Sequence, residues 1–243
     1  MIRTFRAADR GQSQWDWLDS WHSFSFGEYH DPARMGFRTL RVVNDDRVAP
    51  GEGFGTHGHR DMEILTFVVD GAIAHRDSEG HESTLPAGGI QRMSAGTGIM
   101  HSEYNASHTD PLRFLQVWIL PERRGIDPGY EELKHTGAPL TNGGGTPDGA
   151  FPEGLRLAAS RDGRDGSLTI HQDADVHTGR LAPGGAVSHK IRAGRGAFLQ
   201  VVTGTLELNG TPMAEGDHAE IEEKQMLEVT SRDGVQFLLF DLG

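Results

Sequence analysis

The sequence contains no cysteine among its 243 residues. This absence excludes disulfides, thiolate zinc sites, iron–sulfur clusters and cysteine nucleophiles, so any metal site must be built from His, Asp or Glu. The chain also lacks an apolar run near the roughly 18 residues that a membrane span requires, and its first residues contain no signal-peptide core. We therefore expect a cytoplasmic protein that does not enter a membrane.

Basic residues are scarce as well. Lys and Arg total 23 against 35 Asp and Glu, which gives a net charge of -12, and the main basic cluster is the short "PERRG" at 121–125. Nucleic-acid binding depends on basic side chains that neutralise phosphates, so direct binding to DNA or RNA is not expected. Any regulatory role is expected to involve another protein instead.

Helical periodicity is weak along the whole chain, and only "DPGYEELKH" at 127–135 favours a short helix. Short apolar runs alternate with turns rich in the 33 glycines and 11 prolines, a pattern typical of an all-β fold. The predicted strands are 37–44, 63–71, 71–77, 90–95, 112–120, 168–181, 196–204, 205–210, 218–223 and 235–242.

The chain divides into two similar halves. The segment 136–154 is rich in Gly, Pro and Thr and is predicted to be a linker or surface loop. Residues 67–89 resemble 200–217, because each has an apolar strand that ends in Val-Val-x-Gly, a second strand and a hairpin turn. We therefore predict two tandem cupin barrels of the double-sheet jelly-roll type, at 1–135 and 155–243.

Two short histidine motifs predict a metal site. His57 and His59 in "GTHGHRDME" are two residues apart, as are His101 and Glu103 in "GIMHSEYN". Side chains at i and i+2 of a strand share one face, so two such strands facing each other bring together three imidazoles and one carboxylate. A lone His-x-His in a glycine-rich loop is more often a solvated turn, but the combined set is suited to a transition metal.

The spacing around these motifs resembles the cupin motifs. Gly51, His57, His59, Glu63 and Gly71 follow the first motif with one extra residue before the last glycine. Gly98, His101 and Asn105 follow the end of the second motif, with Gly96 where proline is usual.

More specifically, "FGTHGHRDMEILTFVVDG", "MSAGTGIMHSEYN", the N-terminal "WLDSWHSFSFGEYHDP" and the terminal "LLFDL" are similar to the pirin family, in its bacterial quercetin 2,3-dioxygenase branch. The resemblance implies a bicupin with one divalent transition metal in the N-terminal barrel. Iron is the expected metal, with manganese, cobalt, nickel, copper and zinc as alternatives. The resemblance also implies a dioxygenase activity, in which the flavonol quercetin reacts with O₂ and carbon monoxide is released.

The family's ligands correspond to His57, His59, His101 and Glu103 in this sequence. Glu103 is also the expected catalytic base, whereas Glu63 remains open as an additional or alternative ligand. Seven histidines without such a role are expected to be surface or core residues: His75, His81, His108, His135, His171, His177 and His218. His189 lies near the position of a first ligand in the second repeat but has no His-x-His partner, so the C-terminal barrel is predicted to be metal-free.

Several interpretations stay open. Phe24, Phe26, Phe54 and Met93 are candidate walls of an aromatic pocket or ordinary core residues. The main functional alternative is a metal- or redox-dependent module of the pirin type that binds a regulatory protein and has no physiological enzymatic role. A sugar-modifying cupin is a third class, which requires basic catalytic groups in the barrel rather than the four-ligand set.

Overall fold

A computed structural model describes residues 1–134, 151–223 and 225–243. Their regular structure is β, apart from the single-turn 3₁₀ segments Ala7–Asp9 and Arg164–Gly166, so the predicted all-β class is confirmed. The helix predicted at 127–135 is wrong, because its centre forms a strand. Within the described part of the chain, no helix has the length and apolar character needed to cross a membrane.

Residues 1–134 contain twelve strands. They are β1 (Ile2–Phe5), β2 (Gly11–Trp15), β3 (Leu18–His22), β4 (Leu40–Val48), β5 (Gly53–His59), β6 (Glu63–Asp70), β7 (Ala72–Asp77), β8 (Glu82–Pro86), β9 (Ile90–Ser94), β10 (Ile99–Asn105), β11 (Leu112–Ile119) and β12 (Gly129–Leu133). Eleven of them form the N-terminal barrel from a seven-stranded sheet, ordered β12-β9-β6-β11-β4-β3-β2, and a four-stranded sheet, ordered β5-β10-β7-β8.

Residues 151–223 and 225–243 contain nine further strands. They are β13 (Gly154–Ser160), β14 (Leu168–Thr169), β15 (Ala174–Leu181), β16 (Ala186–Lys190), β17 (Gly196–Leu208), β18 (Thr211–Ala214), β19 (His218–Ile221), β20 (Met226–Thr230) and β21 (Val235–Leu242). The main path of their sheet runs β1-β19-β17-β21-β15-β13-β14. The first strand of the chain therefore completes the sheet of the second half.

The two halves share an apolar core. Leu65 and Leu115 on the seven-stranded sheet belong to the same buried cluster as Phe198 and Phe240 of the C-terminal sheet, and Phe151 lies in that cluster as well. The other face of the seven-stranded sheet points into the N-terminal barrel. Most of the predicted linker, and His135, lie outside the described residues, so the proposed domain boundaries stay a prediction.

The two repeats share a backbone feature at matching glycines. Gly71 has φ +76 and Gly204 has φ +79, a conformation that glycine adopts without steric cost. A Cβ atom would lie 2.7 Å from the Pro111 carbonyl oxygen at the first position and 2.3 Å from the Gly234 carbonyl oxygen at the second. The Val-Val-x-Gly repeat in the sequence thus corresponds in both halves to a glycine where the backbone passes close to a neighbouring segment.

Arg34 joins the two halves in a largely buried cluster. Its guanidinium donates to Glu220 Oε1 at 2.5 Å and to His218 Nε2 at 2.7 Å, and it lies 3.8 Å from the centre of the Phe5 ring. Burial, followed by the positive charge of Arg34, lowers the pKa of His218 well below its usual value. The imidazole is therefore neutral and accepts the hydrogen bond from Arg34.

Replacing Arg34 with alanine is expected to lower the free energy of unfolding by about 3 kcal/mol, because it leaves a partly buried carboxylate and a buried imidazole without their donor. Urea unfolding followed by circular dichroism measures this change. The matched control is Arg76→Ala, since Arg76 pairs with Glu82 on the open surface. The control should unfold like the wild type. Equal effects of the two substitutions would contradict a role for Arg34 in joining the halves.

Candidate metal centre

Three imidazoles converge on the four-stranded sheet of the N-terminal barrel. His57 on β5 lies directly opposite His101 on β10, and His59 follows on the same face of β5. The ring centres are 4.5 Å apart for His57 and His101, 4.7 Å for His57 and His59, and 4.9 Å for His59 and His101. One ring nitrogen of each residue lies within 4.8 Å of the others, so a single ion can contact all three.

A strand irregularity helps to set the orientation of His57. The pairing of β5 with β10 shifts register between His101 and Glu103, and such bulges redirect side chains near functional sites. The Gly55 carbonyl accepts a hydrogen bond from His57 Nδ1 at 2.8 Å. This bond fixes the proton on Nδ1 and leaves the lone pair of Nε2 available to a metal.

Burial holds His59 and His101 in the neutral state that metal binding requires. Burial, followed by the neighbouring His57, lowers the pKa of His59 to about 4. Burial and the adjacent imidazoles lower the pKa of His101 to about 2. Nε2 of His101 faces Nε2 of His57 at 3.1 Å, an arrangement that a shared cation stabilises. The donor set therefore fits a divalent transition metal.

Glu103 is buried beside this cluster and is fixed by the opposite sheet. Gln91 Nε2 donates to its Oε1 at 2.6 Å, and Gln116 Nε2 donates to its Oε2 at 2.8 Å. Thr66 Oγ1 donates to Oε1 at 3.4 Å. These donors oppose the effect of burial, which nevertheless raises the pKa of Glu103 to about 7.

A second group of ligand-type residues overlaps the first. His75, His101 and Glu103 are all buried, and their ligand atoms also lie within 4.8 Å of one another. His75 Nε2 hydrogen-bonds Asp77 Oδ2 at 3.1 Å, whereas its buried Nδ1 has no partner among the described residues. His75 is expected from the sequence to be a surface or core residue, and it is buried beside the cluster. Its i, i+2 spacing with Asp77 is the sequence signal that could have pointed to this position.

Glu63 lies away from the imidazole cluster. Ser94 Oγ donates to its Oε2 at 2.8 Å, and its Oε1 is 3.3 Å from Nδ1 of His171. Asp61, between β5 and β6, has φ +50, so the chain does not continue as one strand from His59 to Glu63. The alternation of side chains is therefore broken between the histidines and this glutamate.

A cavity of about 590 Å³ opens onto His57, His59 and Glu103. Its volume lies within the roughly 300–1,000 Å³ typical of small-molecule sites. Of the four predicted wall residues, Phe26 and Phe54 line the cavity, and Trp15, Trp17 and Trp118 add further aromatic surface. Phe24 instead packs in the core shared by the two halves, and Met93 packs in a small buried cluster.

The C-terminal barrel also contains paired histidines. His189 Nε2 lies 2.8 Å from Asp241 Oδ2, and the ring of His177 lies 5.0 Å from that of His189. Within residues 1–134, 151–223 and 225–243, the groups of three ligand-type residues lie in the N-terminal barrel. That the C-terminal barrel binds no metal stays a prediction.

Comparison with known proteins adds to this geometry. Residues 4–119 match the family model described as Pirin, and residues 157–242 match the model of the quercetinase C-terminal cupin domain. A quercetin 2,3-dioxygenase of Escherichia coli (strain K12) is 43% identical over 242 residues, which cover 100% of this chain and 99% of the relative. The chain belongs to the pirin family.

Solved pirin structures share the whole fold. The crystal structure of the bacterial pirin YhhW from Escherichia coli, in complex with nickel(II), has a TM-score of 0.90 and 43% sequence identity, and it covers 100% of this chain and 99% of that one. A quercetin 2,3-dioxygenase from Acinetobacter baumannii, at 20% identity and a TM-score of 0.76 over 98% of this chain and 85% of that one, shares the fold. The nickel complex and the three-imidazole cluster together support a divalent metal in this pirin, and the bicupin prediction is confirmed.

Proposed function

We propose that this pirin is a metal-dependent dioxygenase that cleaves flavonols such as quercetin with O₂ and releases carbon monoxide. The observation that carries the proposal is the position of the cavity, which opens onto flat aromatic walls, the imidazoles of His57 and His59 and the buried carboxylate of Glu103. His101 lies behind this opening and belongs to both groups of ligand-type residues. The name of its Escherichia coli relative, quercetin 2,3-dioxygenase, supports the dioxygenation of quercetin. A flavonol is a flat aromatic ring system with a 3-hydroxyl and a 4-carbonyl. Its rings suit the aromatic walls of this cavity, and its two oxygens suit the side with the histidines and Glu103.

We propose iron as the metal, with His57, His59, His101 and Glu103 as its ligands. Three neutral imidazoles and one carboxylate leave a divalent ion with a net charge of +1, which favours an anionic oxygen ligand from the substrate. When bound, the metal supplies an electrophilic centre that stabilises the deprotonated flavonol and its reaction with O₂. Imidazole and carboxylate donors also suit manganese, cobalt, nickel, copper and zinc.

The protein contributes proton transfer and orientation. Glu103 is the proposed acceptor of the flavonol 3-hydroxyl proton, because it is the cavity carboxylate whose oxygen lies within 4.8 Å of a ring nitrogen of His101. The amides of Gln91 and Gln116 each donate to one of its oxygens and hold the carboxylate plane in place. Both amides lie on the opposite sheet, so the base is fixed between the two sheets of the barrel.

The cavity wall limits the access of water. Phe26 packs edge-on against Trp118, and Trp118 packs edge-on against His59, with ring centres 5.4 Å and 4.9 Å apart. Trp17 packs against Phe54 at 5.2 Å on another part of the wall. These rings exclude water from the reacting carbon atoms and hold a flat substrate beside the imidazoles.

Metal-loaded protein is expected to consume O₂ and release carbon monoxide from quercetin. The matched control substrate is the flavone luteolin, which lacks only the 3-hydroxyl and should be inert because it cannot form the reactive enolate. An oxygen electrode and detection of carbon monoxide in the headspace measure the two quantities. If protein loaded in turn with iron, manganese, cobalt, nickel and copper cleaves no flavonol, the metal-dependent protein-binding module becomes the better interpretation.

A further inference from the structure

One wall of the cavity is polar. It lies on the seven-stranded sheet, whereas the three imidazoles lie on the four-stranded sheet. Ser20 on β3 and Asn44 and Asp46 on β4 line the cavity there, together with Ser13 and His22. None of these residues belongs to the proposed metal ligand set, so the polar wall requires its own explanation.

Hydrogen bonds within this wall leave a donor free. His22 Nδ1 lies 2.8 Å from Asn44 Oδ1, and Ser13 Oγ lies 2.9 Å from His22 Nε2. Because the Asn44 oxygen can only accept, His22 Nδ1 donates to it and His22 Nε2 accepts from the Ser13 hydroxyl. The Asn44 Nδ2 group therefore keeps both of its hydrogens, with no acceptor among the described residues.

Asp46 leaves an acceptor free beside it. The Ser20 hydroxyl donates to its Oδ1, and its Oδ2 has no partner within the described ranges. The residue is 3% exposed, and burial raises the pKa of its carboxyl to about 7, with the Ser20 bond opposing the shift and the carboxylates of Asp45, Glu103 and Asp19 adding to it. Because this carboxyl lines the cavity, a ligand donor can reach Oδ2 and add the hydrogen bond that the protein itself does not supply.

The free donor and the free acceptor are neighbours on one face of β4. Residues two apart on a strand are spaced by about 6.8 Å. A phenolic hydroxyl both donates and accepts, and hydrogen bonds of about 2.8 Å allow one hydroxyl, or two adjacent hydroxyls, to satisfy both groups. A ring without hydroxyls leaves both groups unpaired.

We propose that Asp46 and Asn44 form a subsite that recognises hydroxyl groups on the pendant ring of the flavonol. The inference rests on the proposed function and narrows its substrate class to flavonols with a hydroxylated pendant ring. A site built to hydrogen-bond a hydroxyl rejects the analogue without it more strongly than an apolar pocket does, because its buried polar groups lose their partners.

The test is a binding series under anaerobic conditions with metal-loaded protein. The probes are 3,5,7-trihydroxyflavone and the same molecule with a 4′-hydroxyl or with 3′,4′-hydroxyls. Quenching of the fluorescence of Trp15, Trp17 and Trp118, which line the cavity, reports the dissociation constant without turnover. The single 4′-hydroxyl is the decisive probe, since it cannot chelate the metal as adjacent hydroxyls can.

Wild-type protein is expected to bind the 4′-hydroxylated probe roughly 10- to 100-fold more tightly than the unsubstituted one, the range for a hydrogen bond to a charged group. In Asp46→Leu this ratio should fall to near one. The control is Asp19→Leu, which removes a nearby carboxylate whose side chain bonds Gln12 and Trp21 rather than lining the cavity. The control should keep the wild-type ratio.

Each outcome decides the proposal. Equal affinity of the wild type for all three probes, or an unchanged ratio in Asp46→Leu, would refute the subsite and leave the proposed function intact. Failure of every flavonol to bind would refute the proposed function and the subsite with it. If circular dichroism shows that Asp46→Leu does not fold, Asn44→Leu removes the donor half of the pair, and it should lower the ratio about tenfold.

Discussion

Replacing His101 with alanine is expected to abolish metal binding and flavonol turnover while the β fold remains. His101 belongs to both groups of ligand-type residues, so its loss leaves at most two members of either group. Wild-type protein should bind about one metal ion per chain, since one ligand set is predicted, and the variant should bind none. Elemental analysis after loading and desalting measures the ion, and circular dichroism measures the fold.

The control for this substitution is His108→Ala, because His108 is exposed and belongs to neither group. It should retain the metal and the activity of the wild type. Two ions per wild-type chain would contradict the prediction of a metal-free C-terminal barrel. Global unfolding of the His101 variant would mean that the metal stabilises the fold instead of occupying a preformed site.

About half of the described strands of this pirin could be predicted from the sequence, because glycine-rich turns separate their short apolar runs. Strands such as β2, β3 and β8 were not predicted, since their residues form no such apolar run. The Val-Val-x-Gly repeat was informative for a physical reason. Gly71 and Gly204 both have a positive φ and a neighbouring carbonyl oxygen that leaves no room for a Cβ atom. The pairing of β1 with β19 was not predictable, because it joins residues about 200 positions apart and depends on how the halves pack.

The segment 127–135 shows how tertiary contacts override local propensity. Its charged and helix-favouring residues predict a helix, but β12 pairs with β9 in the structure. Arg92, which is largely buried, forms an ion pair with Glu131 at 2.8 Å, and Tyr130 stacks on His75 with ring centres 4.6 Å apart. These contacts are made only in the strand conformation, and no local pattern in the sequence encodes them.

The candidate site was predictable where its residues follow one another on a strand. The i, i+2 spacing identified His57, His59 and His101, whose imidazoles the structure brings together. The polar wall of Asn44 and Asp46 was not predictable, because it depends on which face of β4 points into the barrel. That face is set by the pairing of β4 with β3 and β11, which the sequence alone does not specify.

Replacing Glu103 with glutamine is expected to lower kcat for quercetin by roughly 10²–10⁴-fold, the range for the loss of a general base. The amide keeps the shape of the side chain and one oxygen, so part of the metal should be retained. It cannot accept the 3-hydroxyl proton, however, and its NH₂ group meets the donating amide of Gln91 or Gln116. Quercetin bound without oxygen should therefore keep the absorbance of its protonated form in the variant and show that of its anion in the wild type.

The control is Glu79→Gln, which makes the same chemical change at an exposed position outside the cavity. It should leave kcat, metal content and the absorbance of bound quercetin unchanged. If the Glu103 variant holds its metal and turns over at the wild-type rate, Glu103 is not the base. Asp46 would then be the next candidate, because it is the other buried carboxyl that lines the cavity and, with a pKa of about 7, it can exchange a proton near neutral pH.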